Sequence, residues 1–446
     1  MKNVIRCASA CLLICGVAPA SALEVHVTPG TLASALDGNT DTSLRITGSI
    51  DVRDLIFLAE NPGSVTVLDL GDMRIESYTY HRPLWQGHTF FAADALPEYI
   101  FMSAPFSQLT LPSTLTVLGE GCLAASAIES LTLPAALVQA GPYALYGCQY
   151  LRSVDMSASR MNTLPDAMFG NCSRLSEITL PSVLKNLGSE VFSGTALQHL
   201  DLSSADSLAD FALSGMEHLE SVTIGNRTVC GNGLLMGAVR LERLEGVPAD
   251  VPDLFAAHCS ALDADAVVSG ATTLGACCVA SAGGSMLHLT EGLSEVGPRV
   301  FDGMQRLRQL DATALGSRVP VAQSGAFDGI DCPSVTLVVG DDCKDVWSAD
   351  PQWGRFNICT VSGVEEVIAG DTGLYLTMQG HNLTVTCAGG IDEVTVYSAD
   401  GICLYTASPG GVTEVAVDCS AFDSNVLVAG ARGDRQYVSR KFLVQK

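Results

Sequence analysis

The tetrapeptide Leu109-Thr-Leu-Pro112 recurs as Leu131-Thr-Leu-Pro134 and as Ile178-Thr-Leu-Pro181. The first two copies start roughly 22 residues apart, and the third follows after about two more periods. A second marker, a leucine, keeps the same period at Leu151, Leu175, Leu197, Leu219, Leu241, Leu262 and Leu307. A period of this length indicates an array of stacked repeats.

Each repeat carries apolar anchors at fixed positions, but a unit of about 22 residues cannot bury its own apolar side. Stacked copies share a continuous core, so the pattern predicts a solenoid of about ten repeats with a parallel sheet on one face. Within Leu-Thr-Leu the leucines point inward and the threonine points outward. The outward positions are polar and varied, and those predicted to bind a ligand are Thr110, Thr132, Thr179, His199, Asp201 and Thr223.

One repeat carries a family resemblance. Ile178-Thr-Leu-Pro-Ser-Val183, with Leu187-Gly188, Val191-Phe192 and Ala196-Leu197 after it, resembles the BspA-like leucine-rich repeat, a surface-protein repeat common in Bacteroidetes. The resemblance covers about residues 40 to 360 and weakens between Gly225 and Gly284. It implies an α/β leucine-rich repeat solenoid used for adhesion or protein binding, usually without catalysis. The motif residues of the repeat are structural, so it transfers no functional residue to this chain.

Segments on both sides of the repeats complete the expected organisation. Residues 23–64 contain two short helical patterns and are predicted to form an amino-terminal cap. The solenoid is expected over residues 65–360, with an aromatic insertion near 76–105. Residues 361–446 contain short alternating strands, which predict a small all-β sandwich. This last segment resembles the carboxy-terminal secretion-tail domain of many exported Bacteroidetes proteins.

The amino terminus and the charge bear on the compartment and the partner. Lys2 and Arg6 precede a short apolar run, and Ala20-Ser-Ala22 has the small-residue pattern that signal peptidases cleave. We predict a signal peptide over residues 1–22 and export to the periplasm, cell surface or medium. No later stretch is long and apolar enough to predict a membrane-spanning segment. The net charge of -24 disfavours nucleic acid as a partner.

Motifs of catalysis are missing from the sequence. The eight histidines make no HExxH spacing, and no GxSxG elbow is present, so we predict no enzyme, no metal and no cofactor. The thirteen cysteines beyond the signal peptide form no CxxC pair. Cys148, Cys172 and Cys259 recur near one repeat position, which favours buried free thiols.

Two further features are candidate binding sites. Tyr78, Tyr80, His81, Trp85 and His88 concentrate rings in a chain that is only 6% aromatic. Such rings stack on sugars or anchor protein loops, although packing over the first turns of the solenoid is the favoured alternative. Arg432-Gly-Asp434 is a tripeptide that integrins read, but Gly-Asp is also ordinary turn chemistry.

Together these features predict an exported, non-enzymatic binding or adhesion protein. Its expected partner is an extracellular protein or a host-surface ligand, bound on the outward side of the sheet. One alternative is a glycan-binding component of a nutrient-capture system, which would use the aromatic insertion. The other is a structural spacer that binds no specific ligand and displays the carboxy-terminal domain.

Overall fold

The computed structural model describes residues 4–7, 22–361, 374–379, 382–398, 403–422, 426–433 and 436–443. The chain divides into two compact units, Met1–Ile358 and Cys359–Lys446. Most of the predicted signal peptide lies outside the described residues, and so does Asp434 of the Arg-Gly-Asp tripeptide.

The amino-terminal part is mixed strand and helix. Its elements are β1 (Val4–Cys7), β2 (Ala22–Val27), α1 (Leu32–Ala35), β3 (Ser43–Ile50) and α2 (Val52–Glu60). Asp51 caps the start of helix α2: its carboxylate accepts a hydrogen bond from the Arg53 N–H, while the Asp54 carboxylate accepts one from the Asp51 N–H. This reciprocal cap satisfies N–H groups that a helix start leaves open. Leu55 and Leu58 of α2 are buried in the core.

Between residues 67 and 360 the elements are short, and from residue 95 to residue 339 strands of two residues alternate with strands of three or four, except where a helix of four residues stands between two of the two-residue strands. The elements are β4 (Val67–Asp69), β5 (Met73–Ile75), β6 (Tyr78–Thr79), β7 (Phe90–Phe91), β8 (Ala95–Leu96), β9 (Gln108–Thr110), β10 (Val117–Leu118), β11 (Ser130–Thr132), β12 (Gln139–Ala140), β13 (Ser153–Asp155), β14 (Thr163–Leu164), β15 (Glu177–Thr179), β16 (Asn186–Leu187), β17 (His199–Leu202), β18 (Ser207–Leu208), β19 (Ser221–Ile224), β20 (Val229–Cys230), β21 (Arg243–Glu245), β22 (Asp250–Val251), α3 (Asp265–Val268), β23 (Thr273–Leu274), β24 (Met286–His288), β25 (Glu295–Val296), β26 (Gln309–Asp311), β27 (Val321–Ala322), β28 (Thr336–Val339), α4 (Lys344–Ala349) and β29 (Asn357–Thr360). Single turns of 3-10 helix lie at Thr313–Leu315, Cys332–Ser334, Asp341–Cys343 and Trp353–Arg355.

The longer strands form the parallel sheet that the repeat pattern predicts. Leu131 pairs beside Val154, and Val154 beside Ile178, so equivalent residues of successive repeats align. Leu131 and Val154 are buried, and the residues on either side of each point outward. The pairing runs through β2-β3-β4-β9-β11-β13-β15, then through β17-β19-β21, and finally through β24-β26-β28-β29. We call the outward side of these strands the strand face.

The two-residue strands form a second parallel ladder, which the sequence analysis did not predict. It runs through β8-β10-β12, then β14-β16-β18-β20, and then β22-β23-β25-β27. Glycines follow several of these strands because consecutive turns approach closely there. At Gly188 a Cβ atom would lie 2.6 Å from the Asp166 backbone nitrogen, a distance that no side chain tolerates.

The interruptions in the two ladders are staggered. Within residues 22–361 the strand face lacks pairing between β15 and β17, and between β21 and β24. The second ladder continues at both places, through β16-β18 and β22-β23, and has its own interruptions between β12 and β14 and between β20 and β22. At the second interruption of the strand face, α3 replaces a strand and the Asp265 carboxylate accepts a hydrogen bond from the His288 N–H. This repeat lies in the segment where the sequence resemblance weakens.

A turn with left-handed backbone recurs along the repeats. Residues with φ between 49° and 58° stand at Tyr99, Tyr143, Ala167, Glu190, Phe211, Leu254, Cys277 and Arg299. Successive turns are hydrogen-bonded to each other, for example from the Leu123 N–H to the Ala144 carbonyl at 2.9 Å and from the Leu145 N–H to the Met168 carbonyl at 3.0 Å. These bonds form a third row that joins one repeat to the next.

Aromatic and thiol side chains fill the core behind these rows. Phe169 and Phe192, from adjacent repeats, stack with ring centres 5.7 Å apart. The thirteen cysteines beyond the predicted signal peptide are all free, and the Cys172 and Cys259 thiols donate to carbonyls of the preceding repeat at 3.1 Å. Burial raises the pKa of the Cys259 thiol to about 12, which keeps it protonated and inert at neutral pH.

Two tryptophans close the far end of this core. Trp347 lies in α4 and Trp353 in the turn after it, with ring centres 5.2 Å apart and both side chains fully buried. Their indole N–H groups donate to the carbonyls of Gly316 and Pro320 at 2.9 and 2.8 Å. Each indole N–H therefore has a hydrogen-bond acceptor, while the apolar part of the ring packs against the core of the last repeats.

The elements described in the second unit are all β-strands, as predicted for the carboxy-terminal segment. Its strands are β30 (Leu374–Gln379), β31 (Asn382–Ser398), β32 (Cys403–Ala407), β33 (Val412–Asp418), β34 (Val426–Gly433) and β35 (Gln436–Leu443). They form one antiparallel sheet in which β31 pairs with four strands: β30 and β33 along its first half, β32 and β34 along its second. Val385 and Val394, from the two halves, belong to one core cluster, so both halves of the sheet cover the same interior.

Candidate functional site

The strand face holds six of the residues that the sequence analysis selected. Thr110, Thr132 and Thr179 lie on β9, β11 and β15, and His199, Asp201 and Thr223 lie on β17 and β19; all are exposed except Thr223, which is half-buried. Registers place Thr132 beside Asp155, Asp155 beside Thr179, and Asp201 beside Thr223. The structure therefore brings Thr110, Thr132, Thr179, Asp201 and Thr223 into one column, divided by the interruption between β15 and β17. His199 lies in the neighbouring column, beside Ser221.

Asp201 has a structural partner that the sequence analysis did not foresee. Its carboxylate accepts a hydrogen bond from the Ser203 N–H at 3.0 Å, and Asp155 does the same with the Ser157 N–H at 2.9 Å. The hydroxyl of Ser203 and then its N–H stabilise the charged carboxylate, which lowers the pKa of Asp201. Asp201 thus stabilises the turn that follows its strand, and only the carboxylate lone pairs not used in that bond are available to a ligand.

The threonine repeats end their strands in another way. Thr110, Thr132 and Thr179 are each followed two residues later by a proline, at the position where Ser203 follows Asp201. Proline has no N–H, so no side-chain acceptor is needed in these repeats. The threonine hydroxyls therefore carry no equivalent turn bond and are the more available polar groups of the column.

The outward side chains from β9 to β19 form an uncharged to acidic surface. They are Gln108, Thr110, Ser130, Thr132, Ser153, Asp155, Glu177, Thr179, His199, Asp201, Ser221 and Thr223. Three of these are carboxylates and none is lysine or arginine. His199 Nδ1 lies 2.8 Å from the Ser221 hydroxyl, so the one imidazole on this surface already has a hydrogen-bonding neighbour. Asp155, which the sequence analysis overlooked, was visible as the outward residue of Ser153-Val-Asp.

A cleft opens in the strand face at its first interruption. Its volume is about 180 Å³, and it is lined by Leu180, Pro181, Ser182, Leu184, Asp201, Leu202, Ser203, Ser204 and Ala205. Ile178 and Leu180 are only half-buried, whereas Val154 and Met156, the corresponding residues of β13 and its turn, are buried. Without a paired neighbour on that side, β15 leaves apolar surface accessible. We call this opening the strand-face cleft.

The predicted aromatic insertion is a short hairpin in which β6 pairs antiparallel with β7. We call residues 78–91 the aromatic hairpin. Tyr78 and Tyr80 are stacked with ring centres 6.2 Å apart, and the Tyr80 and His81 rings are 4.4 Å apart. The Arg53 guanidinium lies 4.5 Å from the centre of the Tyr78 ring. The hairpin is thus fixed to α2 through a cation–π contact.

Trp85 and His88 occupy the end of the aromatic hairpin. The half-buried Trp85 donates its indole N–H to the Glu98 carbonyl at 2.7 Å, and His88 Nε2 lies 3.4 Å from the Glu98 carboxylate. Trp85 therefore contributes to packing, which is the alternative that the sequence analysis favoured. Phe90 is the hairpin's most exposed large apolar side chain, with 61% of its surface accessible.

In the part of the chain that the structure describes, no three His, Cys, Asp or Glu side chains are placed to share a metal ion. The strand-face cleft and a second cavity of about 290 Å³ beside α1 and α2 each have one titratable residue in their lining, Asp201 and Asp37 respectively. Nor does any described helix combine the length and apolar character needed to cross a bilayer.

Stacked parallel strands with leucine and phenylalanine anchors define a leucine-rich repeat solenoid. Residues 94–220 match the family described as BspA type leucine-rich repeat region, in six copies. These repeats are therefore BspA-type leucine-rich repeats, which confirms over residues 94–220 the repeat resemblance stated from the sequence. No curated protein matches the chain.

Several solved bacterial structures resemble the chain at low sequence identity. A leucine-rich repeat protein from Bacteroides ovatus is 15% identical, with 71% of this chain and 84% of that chain covered and a TM-score of 0.44. The pneumococcal vaccine antigen PcpA is 15% identical, with 77% and 83% covered and a TM-score of 0.37. A leucine-rich repeat protein from Eubacterium ventriosum is 17% identical, with 69% and 90% covered and a TM-score of 0.31.

Proposed function

We propose that the chain is an exported, non-enzymatic binding or adhesion protein whose strand face binds an extracellular protein or a host-surface ligand. One observation carries the proposal: polar side chains are aligned and exposed on a sheet backed by a continuous buried core. Such a surface is already in place before a partner arrives, so little conformational entropy is lost on binding. The uncommitted hydroxyls of Thr110, Thr132 and Thr179 supply adaptable hydrogen bonds along it.

A binding screen tests this proposal. The mature chain, residues 23–446, is presented to an array of host matrix proteins and to a glycan array in parallel. A protein ligand whose binding falls when Thr110 and Thr132 are both replaced by lysine supports the strand face. The matched control replaces two exposed residues away from it, Gln139 and Asn226, by lysine. Equal losses in both variants would show that the strand face has no special part.

Glycan capture by the aromatic hairpin is the second candidate, and it rests on the exposure of Phe90 and His81. Saturable sugar binding that disappears in Phe90→Ala and His81→Ala would support it. Trp85→Ala is the weaker test, because it also removes the indole bond to Glu98 and so loosens the hairpin. If the unaltered chain binds no sugar, this candidate is refuted. If it binds neither sugars nor proteins, the result favours a spacer role.

A further inference from the structure

The strand-face cleft lies where two neighbouring strands of the strand face, β15 and β17, are unpaired. We propose that it binds one apolar side chain of an extended, positively charged segment of a partner protein. This inference rests on the proposed function and adds the chemistry of the partner and the point of contact. Three observations support it: the room in the cleft, the closed stack behind it and the charge around it.

The cleft offers apolar surface and sufficient room. Its accessible apolar side chain is the half-buried Leu180, and the other apolar lining residues, Pro181, Leu184, Leu202 and Ala205, are buried. For comparison, an apolar protein cavity of about 150 Å³ holds a ligand the size of benzene. A volume of about 180 Å³ therefore takes one leucine-sized side chain. Filling it removes the half-buried Leu180 surface from water, which is the driving force for an apolar contact.

The two repeats that flank the cleft remain hydrogen-bonded to each other behind it, so the cleft is a recess and not a gap through the solenoid. Leu187 and Leu208 pair in the second ladder at the same two repeats. At the amino-terminal side of the two strands, the Ala196 N–H donates to the Leu175 carbonyl at 2.9 Å. The repeats are therefore held together on both sides of the cleft. The available space accommodates a side chain and leaves no room for a whole inserted strand.

The charge around the cleft selects a cationic partner. Asp201 lines it, and Glu177 and Asp155 are outward residues of the two preceding strands. The nearby cation, Lys185, is occupied by Asp206 at 3.6 Å and by the Ser204 carbonyl at 3.1 Å. A surface of this sign attracts lysine and arginine and repels acidic segments. In an extended segment alternate side chains share a side, so one apolar residue flanked at i±2 by lysines fits both features.

Synthetic peptides test the inference on the mature chain. The probe is fluorescein-labelled Lys-Ser-Lys-Ser-Leu-Ser-Lys-Ser-Lys, and its charge-matched control carries serine in place of the leucine. Fluorescence anisotropy at low salt should show the leucine peptide binding about tenfold or more tightly than the control peptide. Both affinities should fall as salt rises, because the lysine contacts are screened.

Protein variants locate the contact. Ser203→Phe fills the cleft and should abolish the preference for the leucine peptide. Its matched control is Ser157→Phe, because Ser157 stands at the same place in the turn after β13, where the strand face is closed. Ser182→Phe, from the opposite wall, is the second cleft variant, and unchanged circular dichroism and melting temperature show that each variant is folded.

The outcomes separate this inference from the proposed function. Equal binding of the two peptides, no binding of either, or a preference that survives in both cleft variants overturns the cleft proposal. A matrix protein that binds the unaltered chain and Ser203→Phe equally refutes the cleft alone and leaves the strand face as the binding surface. Failure of the matrix-protein screen, with the peptide preference intact, refutes the matrix ligand and keeps the cleft.

Discussion

Replacing Gly188 by alanine should destabilise the first unit strongly, for reasons of space alone. The backbone of Gly188 is in an ordinary region that alanine adopts freely. Its Cβ, however, would lie 2.5 Å from the Asp166 carboxylate oxygen, 2.6 Å from the Asp166 nitrogen and 2.8 Å from the Pro165 carbonyl carbon. Two of these atoms belong to the backbone, so the two turns must separate.

The expected magnitude combines two broken hydrogen bonds with steric strain. Separation breaks the hydrogen bond from the Gly188 N–H to the Leu164 carbonyl and that from the Ser189 N–H to the Asp166 carboxylate, both 2.8 Å long. Each contributes about 1 kcal/mol, and overpacking strain adds about 1–3 kcal/mol. The free energy of unfolding should therefore fall by about 3–5 kcal/mol.

Urea unfolding followed by far-ultraviolet circular dichroism measures this change. Gly270→Ala is the matched control, because nothing lies within 4 Å of its added Cβ and its backbone is also ordinary. That variant should keep the wild-type midpoint or gain about 0.4–1 kcal/mol. An unchanged midpoint for Gly188→Ala would mean that the turns separate freely, and the close-approach argument would fail.

Three smaller predictions concern single residues. Ala125 is exposed and has a left-handed backbone with φ 54°, so Ala125→Gly should raise the free energy of unfolding by up to about 1 kcal/mol, measured by calorimetry. Ala135 is exposed with an ordinary backbone, and Ala135→Gly should lower the free energy of unfolding. Asp201→Ala should cost about 0.5 kcal/mol at neutral pH. Because the folded-state pKa of Asp201 is lowered, this cost is fully present above the unfolded pKa and should be lost as the pH of the unfolding curves falls through the folded pKa; a pH-independent cost contradicts the carboxylate's role. Cys259 should resist iodoacetamide in the native protein and react in urea, as peptide mass spectrometry would show; native labelling would contradict its burial.

The sequence predicted the repeat register because the anchor residues are themselves the packing contacts. Leu151 and Leu175 recur at one period since each fills the same place in the core of its repeat, and burial constrains them directly. The second ladder was not predicted, because a strand of two residues is too short to show an alternation of side chains. Side-chain alternation in the sequence therefore predicts the longer strands of the strand face but not the two-residue strands of the second ladder.

The candidate site was predictable only in part. Alternation in Leu-Thr-Leu correctly placed Thr110 and Thr132 outward. The interruption beside β15 leaves no trace in composition, because Ile178-Thr-Leu-Pro181 has the same pattern as Leu131-Thr-Leu-Pro134, whose strand is fully paired. The difference lies in the spacing of two backbones, which depends on the packing of whole repeats.

The staggering of the ladder interruptions has a mechanical consequence. Hydrogen bonds between successive repeats lie along the direction of stacking, so a pull on the two ends of the solenoid loads them directly. Where the strand face is unpaired, at β15 and β17, the second ladder and the turn-to-turn bonds still carry the load. The reverse holds between β12 and β14. Within residues 67–361 no interruption of one ladder coincides with an interruption of the other, so tension along the solenoid should find no repeat boundary that lacks hydrogen bonds.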